Sequence, residues 1–264
     1  AHRSLGPFPP FRRLGRARGA GQRRRQHHHH QREGGALGVA HRDHRAGERR
    51  GGVVHLLGLV SNGGVHSQLD HLSALIRLCG EYGVRPLLHA VTDGRDTPPQ
   101  SVMHYLPDIE ALLHSVGGAV GSITGRYYAM DRDRRWERTE RAWRALVLSK
   151  GRRAESVQAA IDQAYAAGET DEFIKPILLP DFSPVGDGQA LISFNFRKDR
   201  PRQIVAALAD PGFTGFDRGD SPRAAVTCMM PYERRLGLPY AFEPERPAAT
   251  LGQVISTLGL AQFH

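Results

Sequence analysis

Arginines stand in short loops beside carboxylates and histidine at four separate places. Reading from the N-terminal side, these are His66 in GGVHS, then Asp93, Arg95 and Asp96 in DGRD, Arg126 and Arg132 in GRYYAMDRD, and Arg197, Arg200 and Arg202 in FRKDRPR. The planar guanidinium fork matches phosphate and carboxylate oxygens, often in bidentate geometry. Four such loops brought together would make a pocket for a small, multiply charged anion such as a phosphorylated acid. His66 and Asp96 could hydrogen-bond its hydroxyls or tune charge. Each arginine taken alone reads more simply as a surface residue, and Asp93 and Asp131 as turn-forming acids that pair with arginines. Arg132, Arg197 and Arg200 are expected at helix starts, where their charge opposes the helix dipole and an anion would relieve both. Tyr127 and Tyr128 are expected to pack, and Trp136 and Trp143 to lie on a helix core face. His71, His89, His104 and His114 lack metal-ligand spacing and read as structural or surface residues.

What could bring the loops together is the order of elements around them. Apolar runs at 53–60, 84–91, 119–124, 189–195 and 224–229 predict strands, and the first is nearly continuous, as in a strand buried on both faces. Between them, steps of three and four predict helices. The first is capped by Ser67 and ends at Gly83. The second is capped by Ser101 and runs to about 115, with Pro107 kinking or shortening it. Further helices are expected at 134–148, at 156–167, after FRKDR, and at 250–258. Alternation of this kind predicts an α/β fold, a largely parallel sheet flanked by helices. Each polar loop then follows a strand, on the edge where open α/β sheets bind ligands.

Charge divides the chain in two. Of 264 residues, 36 are Lys or Arg and 27 are Asp or Glu, a formal +9 that suggests nucleic acid at first sight. Residues 1–50 hold 13 of the arginines against Glu33, Asp43 and Glu48, a local +10. The remainder carries 23 bases and 24 acids, a net −1. The first 50 residues, rich in Arg, Gly, Pro and His, read as a disordered tail. Any nucleic-acid binding by that tail is expected to be nonspecific. No run of about 18 apolar residues predicts a membrane span. The two cysteines, Cys79 and Cys228, fit a reducing compartment.

The stretches HLLGLVSNGGVHSQLDHL, HAVTDGRDTPPQS, ITGRYYAMDRDRRWERTERAW, YAAGETDEFIKP and ISFNFRKDRPRQI resemble the 2,3-bisphosphoglycerate-independent (cofactor-independent) phosphoglycerate mutases, in order and at similar spacing. The resemblance implies an isomerase of glycolysis and gluconeogenesis that interconverts 3-phosphoglycerate and 2-phosphoglycerate through a phosphoserine. It implies a metal-dependent domain of alkaline-phosphatase type with two Mn²⁺ ions and an inserted domain that holds the phosphoglycerate. On this resemblance, 51–246 is the inserted domain and 247–264 the start of the second half of the phosphatase-type domain. Residues 1–50 are unlike the family. The substrate-binding residues it implies are His66, Arg95, Asp96, Arg126, Arg132, Arg197 and Arg200; Asp93 and Arg202 do not carry over. The family's nucleophile lies in a GNSEVGH-like motif, which these 264 residues do not contain. No catalytic residue and no metal ligand is therefore expected in this chain, which alone is expected to be inactive. A cytoplasmic monomer is the accompanying expectation. The alternative reading is an anion-binding or interaction module without catalysis.

Overall fold

The computed structural model describes residues 52–244 and 249–263. The expected tail, 1–50, and the expected boundary at 246/247 lie outside the described residues. Seven strands form one sheet: β1 (Val53–Leu59), β2 (Arg85–Thr92), β3 (Ala119–Gly125), β4 (Arg152–Arg153), β5 (Ile177–Leu178), β6 (Ala190–Ser193) and β7 (Ala225–Cys228). Their order across the sheet is β4-β5-β3-β2-β1-β6-β7. Every pairing is parallel except β3 with β5. The sheet is thus largely parallel, as the alternation of patterns predicts. The two-residue strands β4 and β5 are too short to leave a pattern and were not expected.

The helices are α1 (Leu69–Glu81), α2 (Leu106–Ser115), α3 (Arg126–Ala129), α4 (Trp136–Leu148), α5 (Val157–Ala166), α6 (Arg202–Ala209) and α7 (Leu251–Thr257). Strand side chains alternate between two cores. Val54 and Leu56 of β1 pack with Leu72 and Ile76 of α1, Leu113 of α2 and Ile161 of α5. Leu57 and Leu59 pack on the other face with Trp143 of α4 and Val205 of α6. Both faces of the sheet are therefore covered, which is why β1 is apolar along nearly its whole length. From β1 the chain winds outward through β2 and β3, then returns to β6 on β1's other side. The β1/β6 boundary is the switch point, and a crevice is expected beyond its carboxyl ends.

Three local expectations are corrected. Ser67 does not cap α1: Gln68 holds that position without a side-chain bond, and the Ser67 hydroxyl instead donates to the Leu59 carbonyl. Ser101 does not start a continuous helix. A 3₁₀ turn at Val102–His104 precedes α2, and Pro107 sits in α2's first turn, where a missing N–H costs nothing. Arg134 is not helical; it has φ 58° and α4 begins at Trp136. The helices expected from about 156 and 250 are present, and there Ser156 and Thr250 do cap, each accepting the amide three residues on.

A buried polar chain crosses the middle of the sheet. Gln189 Oε1 accepts the Gly186 amide at 2.8 Å and lies 2.9 Å from His55 Nε2, so that nitrogen is the donor. His55 Nδ1 is then an acceptor, 2.8 Å from His89 Nε2. His89 Nδ1 in turn accepts from Ser122 Oγ at 2.8 Å. One acceptor at the end sets every tautomer along the chain. A register shift at Leu88/His89 pairs His89 with Ser122 and skips Gly121.

Candidate anion site at the carboxyl edge of the sheet

Asp93 anchors the site. It follows β2 directly and is fully buried. Its carboxylate accepts from Ser61 Oγ at 2.6 Å, from the amides of Arg95 (3.1 Å) and Asp96 (2.9 Å), and from Arg126 Nη1 at 2.6 Å. Burial alone would raise its pKa; the bonds from Ser61, the Asp96 amide and Arg126 outweigh that and hold it below the usual carboxylate range. Asp93 is therefore the turn-forming partner of an arginine, one of the two roles its sequence context allowed. The DGRD turn rests on the 3₁₀ turn Asp171–Phe173. Gly94 has φ +66°, and a Cβ there would lie 2.6 Å from the Glu172 amide nitrogen, so only glycine fits.

Arg126 begins α3 at the end of β3 and is 2% exposed. Its Nη1 also donates to Asp96 Oδ2 at 2.6 Å, and its Nη2 lies 3.1 Å from His66 Nε2. Burial opposes its charge, but the bonds to Asp96 and Asp93 more than offset this. Because a guanidinium only donates, His66 Nε2 must accept, and the imidazole proton sits on Nδ1. Burial first, then the charge of Arg126, depresses the His66 pKa to about 4, so the ring is neutral near pH 7. The Nδ1–H points toward Asp199 Oδ1 at 3.8 Å, too far for a hydrogen bond. His66 Nδ1, Arg126 Nε and Asp199 Oδ1 all lack a hydrogen-bond partner among the described residues.

Around this buried centre stand more cations. Arg132 Nη1 donates to Asp199 Oδ2 at 2.9 Å, and Arg197 Nε lies 3.0 Å from Asp199 Oδ1. Arg200 Nη1 donates to the Met130 carbonyl at 3.1 Å. Arg95 lies farther out, 3.4 Å from Glu172. The side chains of Arg95, Arg132 and Arg197 keep 56, 45 and 48% of their surface, so their donors face solvent at the rim. Burial, then the charges of Arg126, Arg132 and Arg95, lower the pKa of Arg200, an effect that requires those cations to lie near one another.

All seven expected site residues thus gather at one sheet edge, delivered by the loops after β1, β2, β3 and β6. The helix-start argument is corrected. α6 begins at Arg202 behind Pro201 and α4 at Trp136 behind Arg135, so Arg132, Arg197 and Arg200 precede their helices by several residues or a cap. Their charges meet Asp199 and a carbonyl instead. Arg202 opens α6 on the exposed side, apart from the cluster's contacts. Asp199 and Ser61 were missed, although the Arg197–Asp199–Arg200 spacing was a signal that an acid sits among the bases. Asp131 accepts from the Asp133 and Arg135 amides and from Gln203, a turn role. Among the described residues, no group of three or more His, Cys, Asp or Glu is placed to hold a metal ion. Asp93 and Asp96 face Arg126, so the acids at this edge do not fit a metal pair. No helix among the described residues is long and apolar enough to cross a membrane.

A doubly wound, largely parallel sheet with a guanidinium cluster at its switch point defines the class of this unit, an α/β unit with a cationic sheet edge. The family model described as the BPG-independent PGAM N-terminus matches residues 40–234. That match begins inside the segment 1–50 that composition sets apart. The chain is 48% identical over 226 residues to the 2,3-bisphosphoglycerate-independent phosphoglycerate mutase of Desulforudis audaxviator, covering 83% of this chain and 44% of that protein. It is 47% identical over 221 residues to the enzyme of the same name from Myxococcus xanthus, covering 81% and 43%. A crystal structure of Leishmania mexicana phosphoglycerate mutase at low cobalt concentration superimposes with a TM-score of 0.72 at 31% identity, over 82% of this chain and 42% of that one. The chain belongs to the BPG-independent phosphoglycerate mutase family and spans less than half the length of these relatives.

Proposed function

We propose that this chain is the substrate-holding part of a 2,3-bisphosphoglycerate-independent phosphoglycerate mutase. The carrying observation is the buried Arg126, clamped by Asp93, Asp96 and His66 and ringed by the half-exposed heads of Arg95, Arg132 and Arg197. A cation fixed in low dielectric, with half-exposed cations at the rim, suits an anion carrying both phosphate and carboxylate. The neutral His66, with a spare Nδ1–H, suits a hydroxyl or an anionic oxygen. In the complete enzyme, a phosphoserine and two Mn²⁺ ions supplied from outside these residues would do the chemistry. This edge would bind, orient and shield the glycerate while its phosphoryl group is exchanged. We place that reaction, 3-phosphoglycerate to 2-phosphoglycerate and back, in a cytoplasmic, monomeric enzyme.

By itself the chain is expected to bind 3-phosphoglycerate and not to convert it. Calorimetric titration of 3-phosphoglycerate into the chain tests the binding, and Arg132→Ala or Arg197→Ala should weaken it by about 1.5–3 kcal/mol. An affinity unchanged by both would remove the cluster from the site. Interconversion of the two phosphoglycerates by the purified chain with Mn²⁺ would overturn the division of labour.

A further inference from the structure

The group that holds the rim arginines together is itself an anion. Asp199 accepts from Arg132 through Oδ2, and its Oδ1 faces Arg197 Nε at 3.0 Å and His66 Nδ1 at 3.8 Å. Oδ1 makes no hydrogen bond to either, and neither does His66 Nδ1. One carboxylate oxygen is fastened and the other is not. Asp199 is also the only acid within ion-pair distance of Arg132 or Arg197 among the described residues. Asp93 makes the contrast: it is fully buried and bonded by four donors, so it cannot leave. Asp199 is a fifth exposed and sits on the short loop between β6 and α6.

We infer that Asp199 is a resident counter-anion, whose carboxylate holds the position between Arg132, Arg197 and His66 and yields it to an incoming phosphorylated acid. The inference rests on the proposed phosphoglycerate site and says how that site selects. An arriving anion gains only the difference between its own contacts and those that Asp199 already makes. A singly charged carboxylate offers nothing that Asp199 lacks, so it gains little. A phosphate dianion brings more charge and three oxygens, enough to span both guanidiniums and the His66 Nδ1–H. Until then the carboxylate offsets repulsion between two arginines facing each other and keeps their heads in place. Asp199 would therefore lower absolute affinity while widening the preference for phosphorylated over unphosphorylated acids.

The test is calorimetric titration of the wild-type chain, Asp199→Asn and Asp199→Ala with 3-phosphoglycerate and, separately, with glycerate. Removing the competing charge should tighten 3-phosphoglycerate binding by roughly three- to tenfold, the worth of two half-exposed ion pairs. Glycerate should gain more than 3-phosphoglycerate does, which narrows the preference. In thermal unfolding, both variants should melt lower than wild type alone but gain more on adding 3-phosphoglycerate. Weaker or unchanged 3-phosphoglycerate binding in both variants, with wild type still binding and Arg132→Ala impaired, would overturn the inference and leave the site standing. Weaker binding would make Asp199 a partner of the ligand, with Oδ1 and His66 Nδ1 sharing its hydroxyl. No binding by any of the three chains would overturn the site itself along with the inference.

Discussion

Two polar networks are built on the same sheet and end differently. In the middle, the chain Gln189–His55–His89–Ser122 closes on itself: one acceptor sets each proton, and every ring nitrogen has a partner. At the carboxyl edge, the network of Asp93, Arg126, His66 and Asp199 leaves His66 Nδ1, Arg126 Nε and Asp199 Oδ1 without a hydrogen-bond partner among the described residues, with three arginine heads facing solvent. Both contain a buried neutral histidine, so burial and perturbed titration do not separate structure from function. Satisfaction does. A closed network stabilises and has nothing left to offer, whereas an open one keeps donors for a ligand. Breaking the first should cost stability alone, and breaking the second should cost binding.

The largest effect is expected from His89→Ala. It leaves a cavity beside β1 and β3 and strips partners from His55 Nδ1 and the Ser122 hydroxyl, a loss of about 3–5 kcal/mol in denaturant unfolding. Whatever remains folded should bind 3-phosphoglycerate as wild type does. Next comes Arg126→Ala, which stands at the base of the open network. It removes the buried counter-charge of Asp93 and should cost about 3 kcal/mol of stability as well as the binding itself. Loss of binding without loss of stability would show that Asp93 finds another partner.

Acid should attack both networks at once. His66 titrates near 4 in the folded chain against about 6.5 unfolded, with burial as the main cause. Burial also lowers the pKa of His55, and holds His89 well below its ordinary value with help from the charge of His55. A histidine depressed in the fold takes its proton first in the unfolded chain. Stability is therefore intact above about pH 6.5 and falls as pH drops, His66 alone accounting for about 3 kcal/mol by pH 4. Proton uptake on unfolding, measured between pH 6.5 and 4, checks the sign. Release of protons in that window would contradict both networks.

What could be read from sequence depended on whether local pattern carried the information. The long strands and the helix faces did, because β1 is apolar on both sides and α1 and α4 repeat every three to four residues. So did the gathering of His66, Asp96, Arg126 and the rim arginines, since loops after parallel strands must share one edge. The caps at Ser67 and Ser101 failed because each serine found a nearer partner, the carbonyls of Leu59 and Pro98. The helix-start role of Arg132, Arg197 and Arg200 failed because helix origins were placed a few residues early and Asp199 was passed over. The closed network was illegible: His55, His89, Ser122 and Gln189 are far apart in the chain, and the register shift that pairs His89 with Ser122 exists only in the folded sheet.

The smallest stability change, and the sharpest separation of the two networks, belongs to Arg132→Ala. Its head is nearly half exposed and, among the described residues, bonds only to one oxygen of Asp199. An exposed ion pair of that kind contributes up to about 1 kcal/mol and often nothing measurable, so the melting temperature should barely move. Binding should nonetheless weaken, because a phosphate oxygen in that position loses a charge-assisted donor worth more than the pair it replaced. The same measurement on His89→Ala should return the mirror image, a large fall in stability and no change in affinity. If Arg132→Ala destabilised the chain by as much as Arg126→Ala, the rim would be part of the scaffold. The open network would then be a poorly closed structural one rather than a site.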